Sequence, residues 1–540
     1  MMEFAKRIID TVERIKIGWS WLVATLFSII LIRNLLEVAL EYGGKTGQFS
    51  YAGSLTIRAL LHYPIFYIAI LLGLVLILRL STSESLKNIF KVTTVGWTLT
   101  WIVPIIDYII SGGRGYTLNY AITLKSFILG LLFFFSPFHS GSGVSPGMRI
   151  EVGLACIFIA IYVMAKTHKF YKTLGAFIGF YFLIIFSASL PVFFAELMVL
   201  LPFFERTIYL PFYQVFYMTD FSLAQRMVTL IFLLFSSFLL FWLLCLYDRK
   251  KWQSMICNIR GVRSLYYMGM AAFGIILGYL FLPEQAGSKF ITHPLDILKI
   301  VGLLSSGFLA WQFAKIFNDI FDYDADIISG NHTPLTDNAI SFKQYQIIGV
   351  ICLILSLLMA FTVHYSTFYL MLFVCIISFL YSVPPLRLKR VFLLSTFIIA
   401  MSGLIAIMVG FSFFAKENTL WKFPAVISKL IIFCILIGFH AKDLKDIEGD
   451  RKQRILTLPV LLGPQKGRIV IGLLVLVGYF LVPLILKANI LFIPALILGL
   501  LSFFITMKLH KPDTLLLFIY AFIFIPIVVY YIILNIEKFR

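Results

Sequence analysis

Apolar runs of about 20 residues, one after another with short polar breaks, constrain this chain more than any other feature. A helix of that length matches the ~30 Å hydrocarbon core of a bilayer, and only helices or closed barrels satisfy their backbone there. Runs near 265–282, 296–317, 344–362, 365–381, 392–414, 424–440, 468–486, 488–507 and 514–535 predict nine spans in the second half. In the first half the runs fall near 17–36, 62–80, 93–111, 119–137, 150–165, 174–204 and 226–247. With 61% hydrophobic and 13% charged residues, the chain reads as an all-α polytopic membrane protein.

The first half poses a parity problem. Met1–Lys16 is charged and amphipathic and no small-residue cleavage site follows the first apolar run, so it reads as a cytosolic interfacial helix rather than a cleaved signal. Lys6, Arg7, Arg14 and Lys16 place it on the positive-inside side. A charged segment, 249–263, then carries Arg249, Lys250, Lys251, Arg260 and Arg263 and reads as a basic cytosolic linker or surface helix. Two cytosolic ends require an even count between them, so residues 1–248 are expected to hold six or eight spans. The 174–204 run, interrupted by Ser187, Ser189, Pro191 and Glu196, reads as one span with an interfacial helix or as two short spans. Glu37, Asp107, Glu151 and Glu196 lie singly near span ends, where acids are more often solvated, and nothing in their spacing assigns a chemistry to this half.

The net charge of +19 is scattered between apolar spans rather than gathered on one domain. That pattern suits cytosolic loops and anionic headgroups, and argues against nucleic acid as a partner. The cysteines, Cys156, Cys245, Cys257, Cys352, Cys375 and Cys434, have no paired spacing and read as free thiols mostly inside apolar runs.

Chemistry concentrates in the second half. Asn318–Asp326 reads N-D-I-F-D-Y-D-A-D and follows directly on an apolar run. Asp319, Asp322 and Asp326 stand at i, i+3 and i+7, one face of a helix, while Asp324 points elsewhere. A second run ends in K-D-L-K-D-I-E-G-D, Lys442–Asp450, where Asp443, Asp446 and Asp450 repeat that spacing. Carboxylates crowded beside an apolar slot repel one another and need cations. Hard oxygen ligands there suit Mg²⁺, which completes its octahedron with water and phosphate oxygens. Either cluster alone reads equally well as solvated helix-end acids; the matched pair reads as a metal clamp built from both sides.

Between them lies Y-S-V-P-P-L-R-L-K-R, Tyr381–Arg390. Pro384-Pro385 forces a turn at the membrane surface. Taken alone, Arg387, Lys389 and Arg390 are ordinary positive-inside residues; beside two acidic clusters a diphosphate clamp is the better reading. Tyr381 reads as a diphosphate or acceptor contact, or equally as an interfacial anchor.

This ordered set, N-D-x-x-D-x-x-x-D, Y-S-x-P-P-x-R-x-K-R and K-D-x-x-D-x-x-G-D followed by Thr457-Leu458-Pro459, resembles the UbiA family of intramembrane prenyltransferases over roughly 264–540. The Glu448–Arg451 segment is most similar to the branch of chlorophyll synthases, homogentisate prenyltransferases and the geranylgeranylglyceryl phosphate prenyltransferases. The resemblance implies a nine-helix bundle, here preceded by an additional multi-span helical domain at 1–248 and the 249–263 linker. It implies two Mg²⁺ ions on Asn318, Asp319, Asp322, Asp326, Asp443, Asp446 and Asp450, holding a polyprenyl diphosphate. Arg387, Lys389, Arg390, Lys442 and Tyr381 would contact the diphosphate, and a hydrophobic or amphipathic acceptor, aromatic or lipid, would attack the ionised allylic carbon.

Departures from the family pattern bear on substrate identity: Thr333-Pro334 stands where Arg-Pro is common, with His332 before it, and Arg454 replaces a usual glycine. The alternative reading from another class is a cation-coupled transporter using the intramembrane carboxylates. The acids' place at span ends, beside basic residues, disfavours it. Loops 327–343, 382–391 and 441–467 open on the face richer in Lys and Arg, so the site is expected to face the cytosol.

Overall fold

The computed structural model describes residues 2–42, 61–113, 116, 120, 123–136, 144–199, 221–286, 290–291, 294–414, 420–445, 447–452, 455–509 and 512–539. Among them there are helices and no strand. They group into two compact units, Met1–Asp248 and Arg249–Arg540.

Among the described residues 15 helices are long and apolar enough to cross a membrane, and the first unit holds Trp19–Leu40, Tyr63–Thr82, Leu86–Ile110, Pro146–Thr167, Phe170–Leu197 and Gln225–Tyr247. The span expected near 119–137 is not one of them. Its helix runs only Leu124–Phe133, ten residues, or roughly 15 Å of rise, too short to cross. Thr123 stops it at the start by accepting the Ser126 N–H on its side chain, at 3.1 Å. The interrupted run proves to be one helix, Phe170–Val199, with Pro191 inside it; residues 200–220 lie outside the described set. The amphipathic N-terminal helix, Met2–Arg14, docks through Glu13, which accepts from Lys166 Nζ at 2.6 Å and Tyr162 OH at 3.2 Å.

The second unit holds the other candidate spans: Gly261–Phe281, Leu295–Phe321, Phe342–Val363, Tyr365–Ser382, Leu394–Phe411, Ala425–Lys445, Pro464–Leu486, Asn489–Lys508 and Asp513–Leu534. Its 249–263 segment is ordered as a helix, Arg249–Cys257, and a turn through Asn258–Arg260 with Arg260 at φ +54°. In lipid, helices gain little from burying apolar surface against one another, so close backbone approach carries the packing. Gly274 and Gly410 make the closest such contact. A Cβ on Gly274 would sit 1.9 Å from the Ile407 carbonyl oxygen, and one on Gly410 would sit 1.9 Å from that of Ala271. The Gly261–Phe281 and Leu394–Phe411 helices therefore touch backbone to backbone, and Tyr266, Leu277, Ala400 and Phe411 are buried in the same core. Gly410→Val should force this crossing apart and cost on the order of 1–3 kcal/mol or more, read as a lower unfolding midpoint in detergent.

Candidate functional site

The first acidic segment is not one continuous helical face. The Pro294–Phe321 helix ends before Asp322, whose backbone (φ −104°, ψ 7°) starts a second short helix, Tyr323–Ile328. The break sends the carboxylates to different partners. Asp319 is fully buried, and both its oxygens are taken: Arg260 donates to Oδ1 at 3.0 Å, and Asn258 Nδ2 and Tyr345 OH donate to Oδ2 at 3.0 and 2.8 Å. Lys315, also buried, donates to the Asn258 carbonyl at 2.5 Å. Asp319, expected among the metal ligands, is thus held as the hub of a structural network.

Asp322 meets the basic turn. Arg387 donates to its Oδ1 at 2.9 Å and to the Phe321 carbonyl at 3.0 Å, and Lys389 donates to both carboxylate oxygens. The turn reaches it because Pro384-Pro385 follow the Tyr365–Ser382 helix and Arg387 takes a left-handed φ of +40°. Burial pulls the Lys389 ammonium below its ordinary pKa, and Asp322 opposes that shift. Arg390 is exposed. Asn318 accepts from Ser382 Oγ at 3.0 Å, tying the first segment to the end of the same helix.

Asp326 is buried, with Oδ1 accepting from Asn331 Nδ2 at 3.0 Å and Oδ2 without a hydrogen-bond partner. Burial raises its pKa to about 7, and the neighbouring Asp319 and Asp322 push the same way. A buried carboxylate oxygen with no donor, near a second acid that already draws two cations, fits a hard cation.

The second acidic segment is also irregular. The Ala425–Gly438 helix tightens into 3-10 turns over Phe439–Lys445, and a short helix follows at Ile447–Lys452. The regular i, i+3, i+7 face expected there is therefore absent, and Asp446 lies outside the described residues. Lys442 donates to Tyr381 OH at 3.2 Å and sits 3.5 Å from Asp443. His440, buried, lies 3.9 Å from Asp443 on the other side. Asp450 is within electrostatic reach of both Lys389 and Lys442. Among the described residues no three acidic, His or Cys side chains form a metal cage of their own.

Gly449 brings the two acidic segments together. A Cβ there would lie 2.7 Å from Ser329 Oγ and 3.2 Å from the Ala325 carbonyl oxygen, so the Ile447–Lys452 helix rests directly on Tyr323–Ile328. Gly449→Val should wedge the segments apart and lower turnover at least about tenfold, since misplacement of about 1 Å is enough for such losses. Gly449→Ala, whose nearest neighbour is the rotatable Ser329 hydroxyl, should cost much less. Equal effects would show that the contact does not set the spacing.

The departures noted in the first segment's loop have plain structural settings. Thr333 is buried in a turn where its Oγ1 accepts the Thr336 N–H at 3.2 Å and its own N–H donates to Thr336 Oγ1 at 2.8 Å. His332 is exposed and paired with Asp337 at 2.9 Å. Arg454 lies outside the described residues. Asn258 and Tyr345 were not singled out from sequence. Arg260 stood in the basic segment, and Ser382 and Gly449 in the middle and second motifs, without a role of their own.

Residues 286–525 match the family model described as the UbiA prenyltransferase family. A digeranylgeranylglyceryl phosphate synthase of Methanosphaera stadtmanae is 25% identical over 218 residues, 38% of this chain and 74% of that protein. A homogentisate phytyltransferase of Synechocystis is 28% identical over 182 residues, 32% of this chain and 58% of that protein. A solved UbiA homologue from Archaeoglobus fulgidus, bound to DMAPP and Mg²⁺, aligns at 19% identity and a TM-score of 0.36, covering 50% of this chain and 99% of that one. Residues 286–525 of this chain are a domain of the UbiA prenyltransferase family.

Proposed function

We propose that the 264–540 domain transfers a polyprenyl group from a prenyl diphosphate to a hydrophobic or amphipathic acceptor, aromatic or lipid, at a site facing the cytosol. The observation that carries this is the meeting of the first acidic segment with the Arg387–Lys389 turn at Asp322 and with the second acidic segment at Gly449. Asn318, Asp322, Asp326, Asp443, Asp446 and Asp450 would hold Mg²⁺, two ions in this reading. When bound, the metal neutralises charge building on the leaving diphosphate.

The chain's own groups supply the rest. Arg387 and Lys389 are spaced by the left-handed turn to reach one acceptor site, now Asp322, and would turn to diphosphate oxygens when those enter. Lys442, held by Tyr381 OH, would approach from the second segment, and the exposed Arg390 would meet the diphosphate at the rim. Asp319 is assigned to positioning, because its oxygens are committed to Arg260, Asn258 and Tyr345. Apolar walls of the bundle would hold the prenyl chain and exclude water from the ionised allylic carbon.

The deciding assay incubates the full-length protein with Mg²⁺, a panel of prenyl diphosphates and extracted lipids, and weighs the products. A prenylated product with release of diphosphate is expected; solute movement without diphosphate release would sink the reading. For sidedness, single cysteines at the exposed positions Ser341 and Leu386, in a cysteine-free background, should resist an impermeant thiol reagent applied to intact cells. Labelling from outside would reverse the orientation.

A further inference from the structure

The first unit gathers acids that are scattered in sequence. Arg33 and Glu37, one turn apart on the Trp19–Glu37 helix, form an ion pair with both residues at most 3% exposed. Tyr67 on the next span lies under Arg33, its ring centroid 4.9 Å from the guanidinium carbon. Asp107, fully buried, accepts the Gly147 N–H on Oδ1 at 2.8 Å, while its Oδ2 has no hydrogen-bond partner. Glu151 stands one turn beyond Gly147 on the same face, within electrostatic reach of Asp107 and Arg33. Glu37 and Glu151 thus lie near the Arg33 guanidinium, and Asp107 lies near Glu151.

Buried charges are costly unless they are compensated, and in membrane proteins such groups mark ion or substrate sites. The backbone adds an independent sign. The helix carrying Glu37 passes into π-helical turns at Val38–Tyr42, and the Leu86–Ile110 span is interrupted by 3-10 turns at Thr98–Trp101, shortly before Asp107. Interrupted helices inside a membrane recur where backbone and carboxylates hold ions. All the available donors are oxygens, which suits a hard cation. Among the described residues no three acidic, His or Cys side chains group here as metal ligands, so the site rests on two carboxylates.

We propose that this cluster in residues 1–248 is a binding site for a monovalent alkali cation, with the free Asp107 oxygen and the Glu151 carboxylate as its ligands. The site does not depend on the prenyl-transfer reading. Its test is the unfolding midpoint of the full-length protein in detergent, in LiCl, NaCl, KCl or N-methylglucamine chloride at equal ionic strength. One alkali cation should raise the midpoint saturably by at least about 2 °C over the organic cation. Asp107→Asn and Glu151→Gln should each abolish that rise while leaving prenyl transfer unchanged. Identical midpoints in every salt would overturn the proposal and mean that the acids share a proton instead. A rise with Ca²⁺ alone, or one that persists in the variants, would overturn it as well. If Asp107→Asn does not fold, the wild-type salt series and Glu151→Gln decide.

Discussion

Asp326→Asn should fold at least as stably as the wild-type protein in the absence of metal, and yet lose prenyl transfer by on the order of 100-fold or more. Both halves of this expectation come from one side chain. In the folded protein the Asp326 carboxyl is buried, has one oxygen without a donor, and titrates near 7. Its unfolded value is ~3.9, so between pH ~4 and ~7 the folded state binds the extra proton. Its contribution to stability is therefore present at low pH and is lost as pH rises to about 7. The amide carries no charge, keeps an oxygen for Asn331, and removes that dependence. Metal-free melting followed from pH 4 to 8 should show a shallower decline in the variant than in the wild type. With Mg²⁺ present, the wild type should regain stability above pH 7 and the variant should not. A variant that kept near-normal turnover would remove Asp326 from the site.

The spans were legible in the sequence because a run of apolar residues has few other outcomes, and the nine in the second unit emerge near the expected places. Length decided the error at 119–137: composition alone did not show that Thr123 and the end at Phe133 leave only ten helical residues. The two acidic motifs were legible as well, because carboxylates seldom recur at one matched spacing at the ends of two apolar runs. Their internal geometry was not. The i, i+3, i+7 spacing assumes an unbroken α-helix, whereas the chain breaks at Asp322 and winds 3-10 at Phe439–Lys445. A break lets each acid find its own partner, and partners distant in sequence leave no periodic trace. Tyr345 and Asn258 reach Asp319 across 26 and 61 residues. Asp107 and Glu151 eluded a linear reading for the same reason: each looked like an isolated interfacial acid until helix packing brought them near one another.

Asp319 gives the sharpest contrast with Asp326, although the two stand seven residues apart in one motif. Asp319→Ala should destabilise the second unit by roughly 3–5 kcal/mol, the usual cost of removing one member of a buried charged network. Arg260 would lose its carboxylate, buried Lys315 the negative charge nearest to it, and Asn258 and Tyr345 their shared acceptor. The Asn258–Arg260 turn would then be free to leave the Pro294–Phe321 helix, and the Asn318–Asp322 end of that helix would loosen with it. Activity should fall as a consequence of that loosening. Asp319→Asn, which keeps an oxygen for Arg260 but loses the charge, should recover part of both stability and turnover. The half-saturating Mg²⁺ concentration of whatever active fraction remains separates the roles. A metal ligand replaced by alanine would raise it steeply, whereas a positioning residue would lower the active fraction and leave the metal requirement near that of the wild type. A large rise in the Mg²⁺ requirement at unchanged melting temperature would return Asp319 to the metal site, and the network around it would then be a resting arrangement that opens when metal binds.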